Sequence, residues 1–221
     1  MAEPTRGPAD ALHLEEVGLW VQILAPVAET TGRPALFLDR DGTINVDTGY
    51  PRTADEIVLL PEILPVIRAA NTAGVPAVIV SNQSGVARGL LDWSDFAAVN
   101  RRLLDLLHVE GCAIAMVLAC AYHEAGRPPF DIPDHPMRKP NPGMLLRAAA
   151  ILGIDLQRSI VVGDKSSDME AGRRAGLAEG WLVAGDGMAC DLSEKAFSCR
   201  PLRDGADYAL LVEAISTLSR S

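Results

Sequence analysis

Short apolar runs alternate along this chain with longer segments in which apolar residues recur at helical spacing. Five of the short runs predict buried strands, at residues 35–38, 75–80, 115–118, 159–162 and 180–183. The periodic segments predict helices at residues 63–73, 92–107, 142–152 and 169–175. Strands that alternate with helices predict an α/β fold with a doubly wound parallel sheet.

Three further segments lie outside this alternation. Residues 12–24 have apolar residues at roughly helical spacing and predict an added helix, whereas residues 206–218 predict the start of a strand followed by an amphipathic helix. Residues 122–138 contain four prolines and little periodicity, so they predict a long loop. We therefore divide the chain into an N-terminal extension over residues 1–33, whose first ten residues we expect to be disordered, and one domain over residues 34–221.

The composition restricts the partners of the chain. Its formal net charge is −9, and nucleic acid is held mainly by clustered Lys and Arg, so we expect no nucleic-acid partner. No apolar run approaches the ~20 residues of a membrane span, and the first residues lack the features of a secretory signal. We expect a cytoplasmic protein without a membrane partner. Reduced thiols are expected at the four cysteines, which follow no disulfide spacing: Cys112, Cys120, Cys190 and Cys199.

Two aspartates directly follow the first predicted strand of the domain. Asp39 and Asp41 are two positions apart, and side chains two apart on an extended chain point the same way. Ligands of open parallel sheets bind beyond the carboxyl ends of the strands. One carboxylate can serve as nucleophile and the other as acid and base, with a cation reducing their repulsion, so the pair predicts phosphoryl transfer.

Polar residues also follow other predicted strands. Ser81 comes after the second strand and can donate its hydroxyl to a phosphoryl oxygen, and Asp164 comes after the fourth. Asp39 and Asp164 carry the hard oxygen ligands that Mg²⁺ takes. Lys139, at the end of the long loop, would neutralise the transferring group.

At these positions the chain resembles the haloacid dehalogenase (HAD) superfamily of phosphatases. Its four motifs stand here in order as Asp39-Arg40-Asp41-Gly42-Thr43, Ser81, Lys139 and Gly163-Asp164-Lys165-Ser166-Ser167-Asp168. Longer stretches are similar to the D-glycero-D-manno-heptose 1,7-bisphosphate 7-phosphatase family, which includes related histidinol-phosphate phosphatases; these are residues 39–50, 81–89, 138–144 and 162–165. The resemblance covers about residues 34–183 and implies a Rossmann-like fold without a large cap domain.

The resemblance also implies a reaction. Asp39 would attack phosphorus and form an aspartyl-phosphate, while Asp41 protonates the leaving oxygen and then activates water. Ser81 and Lys139 would stabilise the phosphoryl group, a task that is mostly positioning and electrostatics.

The same resemblance implies a metal site and a substrate site. Mg²⁺ would be held by Asp39, Asp164 and the Asp41 carbonyl, with Asp168 orienting Lys165 or metal-bound water. Without a large cap, short loops would select the substrate. The candidate substrate-binding residues are Asp47, Thr48, Gly49, Tyr50, Asn82, Gln83, Ser84, Arg88, Arg138 and Lys165.

A zinc loop is the one family feature from which this chain departs. Relatives place a Cys-x-His pair and a Cys-x-Cys pair at the positions that are here Cys120, Tyr122, His135 and Met137. Of these four positions, only Cys120 retains the residue that serves as a zinc ligand in the family. His135 is a candidate substitute, with His123 and Asp134 as further donors. Structural zinc normally needs four donors in a closed tetrahedron, so we expect no zinc.

Alternatives remain open for substrate and assembly. A heptose bisphosphate needs a second anion site, for which Arg88, Arg138 and Lys165 are candidates, whereas the amine of histidinol phosphate would need an acidic wall. Asp47 suits either substrate, and another small phosphomonoester is a further alternative. A phospholigand-binding protein without turnover is the non-enzyme hypothesis. We expect a monomer, with a dimer contact through the N-terminal helix as the alternative.

Overall fold

One eight-stranded sheet runs through the residues that the structure, a computed structural model, describes: 13–26, 29–183 and 197–218. The strands are β1 (Leu14–Glu16), β2 (Leu19–Ile23), β3 (Leu36–Leu38), β4 (Ala77–Asn82), β5 (Met116–Cys120), β6 (Ile160–Gly163), β7 (Glu179–Val183) and β8 (Ser198–Leu202). Their spatial order is β1-β2-β5-β4-β3-β6-β7-β8. All pairs from β5 to β8 are parallel, whereas β2 is antiparallel to both β5 and β1.

Helices cover both faces of this sheet, as the predicted doubly wound fold requires. They are α1 (Leu64–Thr72), α2 (Ser84–Ala87), α3 (Trp93–Val109), α4 (Gly143–Leu152), α5 (Ser166–Ala175) and α6 (Gly205–Leu218). The central strand β3 shows the two faces, because Leu36 and Leu38 join one buried apolar cluster and Phe37 joins the other. The predicted α/β fold is confirmed.

Local signals explain where several helices begin and end. Asp92 caps α3, since its Oδ1 accepts hydrogen bonds from the backbone N–H groups of Ser94 and Asp95. The left-handed conformation of Gly153 (φ +67°) ends α4. Helix α5 begins at Ser166, three residues before the prediction, because Asp168 Oδ2 accepts a hydrogen bond from Lys165 N and closes the first turn.

The predicted helix over residues 12–24 is wrong. Strands β1 and β2 form a hairpin there, and five residues of β2 pair with β5. The observed faces alternate, since Leu19 joins one apolar cluster and Trp20 the other. Backbone pairing with the open edge of β5 outweighs the helical spacing, as tertiary context often does. The dimer hypothesis loses the helix on which it was based, and the boundary at residue 33 stays a prediction.

Two smaller expectations also need correction. The strand predicted to start near residue 206 lies earlier, at β8, and residues 205–218 are helical throughout. Cys112 and Cys120 are free thiols as predicted, but Cys199 is disulfide-bonded. Cys190 and the first ten residues, with their expected disorder, lie outside the described residues. The predicted long loop is confirmed, since residues 121–142 contain neither helix nor strand.

Within the described part of the chain, every helix is too short or too polar to cross a lipid bilayer.

Candidate active site

A buried lysine joins two buried carboxylates at the carboxyl end of β3. Lys139 Nζ lies 2.7 Å from Asp39 Oδ1 and 2.6 Å from Asp168 Oδ1, and it also donates a hydrogen bond of 2.7 Å to the carbonyl of Val80. Asp39, Lys139 and Asp168 are each at most 5 % exposed. Burial disfavours isolated charges, so this group is stable only because its members are paired. Asp168, expected to act on Lys165 or water, contacts the catalytic candidate Lys139 directly.

Asp41 is held by a set of hydrogen-bond donors. Arg40 donates to both of its carboxylate oxygens, at 2.9 to 3.2 Å, and Asn45 and Gln83 each donate one further bond of 3.1 Å. Burial tends to raise the pKa of Asp41, but Arg40 together with the two amides lowers it below its usual value of 3.8. Asp41 is therefore held as a carboxylate, the form that accepts a proton.

Residues at the end of β4 connect these groups. The Gln83 amide bridges Asp41 and Ser81, because its Nε2 donates to Asp41 and also donates a hydrogen bond of 2.8 Å to the Ser81 hydroxyl oxygen. Asn82 exchanges two hydrogen bonds with the backbone of Lys139, one in each direction, at 2.9 and 3.1 Å. The strand end thus fixes both the candidate phosphate ligand Ser81 and the segment that carries Lys139.

Three carboxylates form a candidate cation site. Oxygen atoms of Asp39, Asp164 and Asp168 lie within 4.8 Å of one another. One oxygen of Asp164, Oδ1, is buried without a hydrogen-bond partner. A hard oxygen donor set with an unpartnered buried carboxylate oxygen fits Mg²⁺. Both oxygens of Asp168 are engaged, Oδ1 by Lys139 and Oδ2 by the backbone N–H of Lys165, whereas Lys139 engages only Oδ1 of Asp39. Asp39 and Asp164 are therefore the better placed ligands.

The pKa values of these carboxylates reflect their crowding. Burial raises the pKa of Asp39 to about 7, opposed by Lys139 and reinforced by Asp168 and Asp164. Burial also raises the pKa of Asp164, and Asp168 adds to the effect. A divalent cation between Asp39 and Asp164 would favour both charged forms and lower both pKa values.

Gly42 makes the close approach to Asp164 possible. Its φ is +80°, and a Cβ there would lie 2.5 Å from Asp164 Oδ2. Only glycine meets both conditions without strain, so the turn after Asp41 is part of the carboxylate site.

A cleft of about 490 Å³ opens beside Lys139. Its walls include Asn82, Ser84, His123, Glu124, Asp134, Arg138, Lys139, Pro140, Lys165 and Ser167. Arg88 reaches His123 Nε2 at 3.3 Å and donates to the Tyr50 hydroxyl at 3.3 Å, and that hydroxyl lies 3.5 Å from Ser84 Oγ. The structure therefore brings Tyr50, Ser84 and Arg88 together near one wall.

The remaining substrate-binding candidates lie on an exposed turn. Asp47 Oδ1 accepts a hydrogen bond of 2.9 Å from Gly49 N, and Thr48 is exposed between them. Lys165 Nζ lies 3.6 Å from Asp47 and 3.5 Å from Asp164, which ties this turn to the carboxylate site.

Sequence reasoning missed Arg40 and Asn45, which are at most 1 % exposed and hold Asp41. An arginine between two aspartates at a buried strand end was the available signal, because such a charge needs a partner. Glu124 lines the cleft without any signal in the local sequence. Ser167 also lines it and stands within the fourth HAD motif, but it was not among the predicted site residues.

Comparisons with known proteins agree with this geometry. A family model described as HAD-hydrolase-like matches residues 136–202. The D-glycero-beta-D-manno-heptose-1,7-bisphosphate 7-phosphatase of Mesorhizobium japonicum is 56 % identical over 220 residues, which covers 100 % of this chain and 98 % of the relative. The enzyme of that name from Escherichia coli K12 is 37 % identical over 160 residues, covering 68 % of this chain and 78 % of the relative.

Solved structures give the same result. The crystal structure of a HAD-like phosphatase from Mesorhizobium loti matches with a TM-score of 0.90 at 56 % identity, and the match covers 96 % of this chain and 99 % of the Mesorhizobium loti chain. The D,D-heptose 1,7-bisphosphate phosphatase of B. bronchiseptica, complexed with magnesium and phosphate, has a TM-score of 0.67 at 30 % identity, covering 81 % and 98 %. The four ordered motifs, the sheet and the full-length identity show that the chain belongs to the D-glycero-D-manno-heptose 1,7-bisphosphate 7-phosphatase family of HAD-fold phosphoric monoester hydrolases.

Proposed function

We propose that this chain is a Mg²⁺-dependent phosphatase that removes the 7-phosphate of D-glycero-D-manno-heptose 1,7-bisphosphate. The observation that carries the proposal is the group formed by Asp39, Asp164, Asp168 and Lys139 beside the cleft. The name of the Mesorhizobium japonicum relative makes the β anomer the first candidate.

Asp39 is the proposed nucleophile. One of its carboxylate oxygens forms a bond to phosphorus as the bond from phosphorus to the sugar oxygen breaks, which leaves an aspartyl-phosphate. Lys139, 2.7 Å from Asp39, balances negative charge at this centre, and Ser81 donates to a phosphoryl oxygen. Of these side chains, Asp39 and Lys139 are already in contact without substrate.

Asp41 is the proposed proton carrier. It gives a proton to the departing sugar oxygen and later takes one from the water that attacks the aspartyl-phosphate, so that phosphate leaves and Asp39 is restored. Arg40, Asn45 and Gln83 favour its carboxylate form, which suits the second step. The phosphate dianion of an incoming substrate would favour protonation of Asp41, which suits the first.

Asp39, Asp164 and the carbonyl of Asp41 are the proposed ligands of Mg²⁺. When bound, Mg²⁺ supplies positive charge that screens the nucleophile from the anionic phosphoryl group. Asp168 keeps Lys139 in place, through the 2.6 Å ion pair.

Cationic residues near the cleft support the choice of a bisphosphate. Arg138 and Lys165 line it, and Arg88 contacts His123 at its wall. Arginine suits a second phosphate because its planar donors match phosphate oxygens. The turn with Asp47, Thr48, Gly49 and Tyr50 is the proposed support for the sugar.

We infer that residues 121–142 keep their shape without zinc. Tyr122 and Met137 stand at two of the four ligand positions of the family's zinc loop, and structural zinc normally needs four donors. His135 Nδ1 accepts a hydrogen bond of 3.2 Å from Met137 N, and the rings of His135 and Tyr122 stack at 3.8 Å. Elemental analysis of the purified protein should find far less than one zinc per chain. One zinc per chain, lost in Cys120→Ala, would contradict this inference.

Phosphate release tests the function as a whole. The panel contains both anomers of the heptose bisphosphate, histidinol phosphate and small sugar phosphates, each with Mg²⁺. We expect a preference of ~100-fold in kcat/KM for one heptose anomer, which corresponds to about 2.7 kcal/mol. A preference for histidinol phosphate would make that compound the substrate in place of the heptose bisphosphate. The absence of turnover on every compound would favour a phospholigand-binding protein. Asp39→Asn should abolish hydrolysis and retain the fold.

A further inference from the structure

The β1–β2 hairpin touches the loop that forms much of the cleft. We call residues 121–142 the cleft loop, because six of the ten cleft-lining residues belong to it. The loop also carries Arg138, the proposed partner of the second phosphate. Contacts between the hairpin and this loop therefore bear on substrate binding.

The first contact is at the turn of the hairpin. The carbonyl of Gly18 accepts a hydrogen bond of 2.9 Å from Ala121 N, directly after β5. Gly18 is buried, and a Cβ at this position would lie 2.5 Å from the ring of Tyr122. The Tyr122 ring thus packs against the Cα of Gly18, in space that any larger residue would fill.

The second contact continues from Tyr122 to the far end of the cleft loop. The rings of Tyr122 and His135 stack with centroids 3.8 Å apart and planes at 25°. Aromatic pairs in contact stabilise a structure beyond the apolar area that they bury. The stack joins the beginning of the loop to the segment just before Arg138.

Both members of the stack also bind Arg138 through their backbones. The Tyr122 carbonyl accepts a hydrogen bond of 3.1 Å from Arg138 Nη1, and the His135 carbonyl accepts one of 2.9 Å from Arg138 N. The guanidinium and the backbone of Arg138 are therefore fixed by the two residues that stack. A change in the stack should move the arginine.

Charged residues of β1 complete the attachment. Glu16 lies 3.9 Å from His135 Nε2, and Glu15 forms a bidentate ion pair with Arg147 of α4, with distances of 2.8 and 3.0 Å. These pairs are partly exposed, so they orient more than they stabilise. The hairpin consequently contacts the loop and the helix that follows it.

From these contacts we infer that the β1–β2 hairpin, acting through the Tyr122–His135 stack, positions Arg138 for the distal phosphate of the substrate. Tyr122 and His135 are positioning residues, since they act through Arg138. The inference rests on the proposed function, because it takes a bisphosphate as the substrate. It assigns a part in substrate selection to residues outside the four HAD motifs.

Two variants of Tyr122 provide the test. Tyr122→Leu removes the stack, whereas Tyr122→Phe keeps the ring and serves as the matched control. We expect Tyr122→Leu to raise KM for the heptose bisphosphate ~10-fold with kcat within about twofold. Hydrolysis of p-nitrophenyl phosphate, which has no second phosphate, should stay within about twofold, and Tyr122→Phe should resemble the wild type on both substrates.

Hydrogen exchange supplies a readout that does not depend on the substrate. Peptides covering residues 123–138 should exchange faster in Tyr122→Leu than in the wild type or in Tyr122→Phe. Equal losses on both substrates, no change in KM, or unchanged exchange would each overturn the inference. If the wild type hydrolyses p-nitrophenyl phosphate and not the heptose bisphosphate, the proposed function fails, and the exchange comparison then decides the positioning role.

Discussion

Replacing Lys139 by methionine should destabilise the protein strongly. Lys139 Nζ is the ammonium that pairs with both Asp39 and Asp168, at 2.7 and 2.6 Å, and all three residues are at most 5 % exposed. Removing one partner of a buried ion pair leaves uncompensated charge and costs about 3–5 kcal/mol. For a chain of this size, such a loss lowers Tm by roughly 6–20 °C.

The double variant separates charge from packing. In Lys139→Met with Asp168→Asn, one uncompensated carboxylate is gone, so we expect part of the lost stability to return. Asp168→Asn alone should cost less than Lys139→Met, because Asp39 still pairs with the lysine. The four proteins form a double-mutant cycle in which the two effects are expected to be non-additive.

Urea unfolding followed by circular dichroism measures the cycle, with EDTA present so that no divalent cation compensates the carboxylates. Additive effects, or a Lys139→Met protein within about 1 kcal/mol of the wild type, would refute the argument from buried charge.

Three further predictions concern other parts of the structure. Gly42→Ala should lose most activity and about 1–3 kcal/mol of stability, because the φ of Gly42 is +80° and the added Cβ would strike Asp164. Gly111 has a similar φ of +71° with open space around it, so Gly111→Ala is the control for backbone strain alone. Kinetics and urea unfolding measure both variants. Hydrogen bonds from Arg173 and Arg174 of α5 lower the pKa of Glu170 to about 2. The contribution of Glu170 to the free energy of unfolding is therefore present above pH 4.5 and disappears as the pH falls toward 2. The stability difference between the wild type and Glu170→Gln should shrink over that interval, and a difference independent of pH would contradict the assignment. Cys120 should resist iodoacetamide in the native protein at pH 8 and react after unfolding, since burial raises its pKa to about 12; rapid native labelling on peptide mapping would show the thiol to be accessible.

The central fold and the carboxylate pair were predictable because their signals are local. The spacing of Asp39 and Asp41 after an apolar run predicts their shared direction, and an N-cap such as Asp92 acts within its own helix. The same patterns predict which strand ends bear polar residues. These features depend on a few neighbouring residues and need no knowledge of distant segments.

Long-range contacts determined what the sequence did not reveal. The local sequence carries no sign that the Asn82 side chain hydrogen-bonds the backbone of Lys139, 57 positions away. Residues 12–24 fit either a helix or strands, and only the presence of β5 as a partner decides between them. The link from Gly18 through Tyr122 to Arg138 likewise joins segments that the local pattern does not relate.

The two outer strands of the sheet also affect how this protein meets other chains. An exposed strand edge invites pairing with a further strand, and natural proteins protect such edges with short strands, charges and proline. At one edge, β1 is three residues long and carries Glu15 and Glu16. At the other, β8 contains Arg200 and Pro201, which has no N–H to donate. Both edges thus discourage strand addition, so the hairpin that supports the cleft also limits aggregation through the sheet.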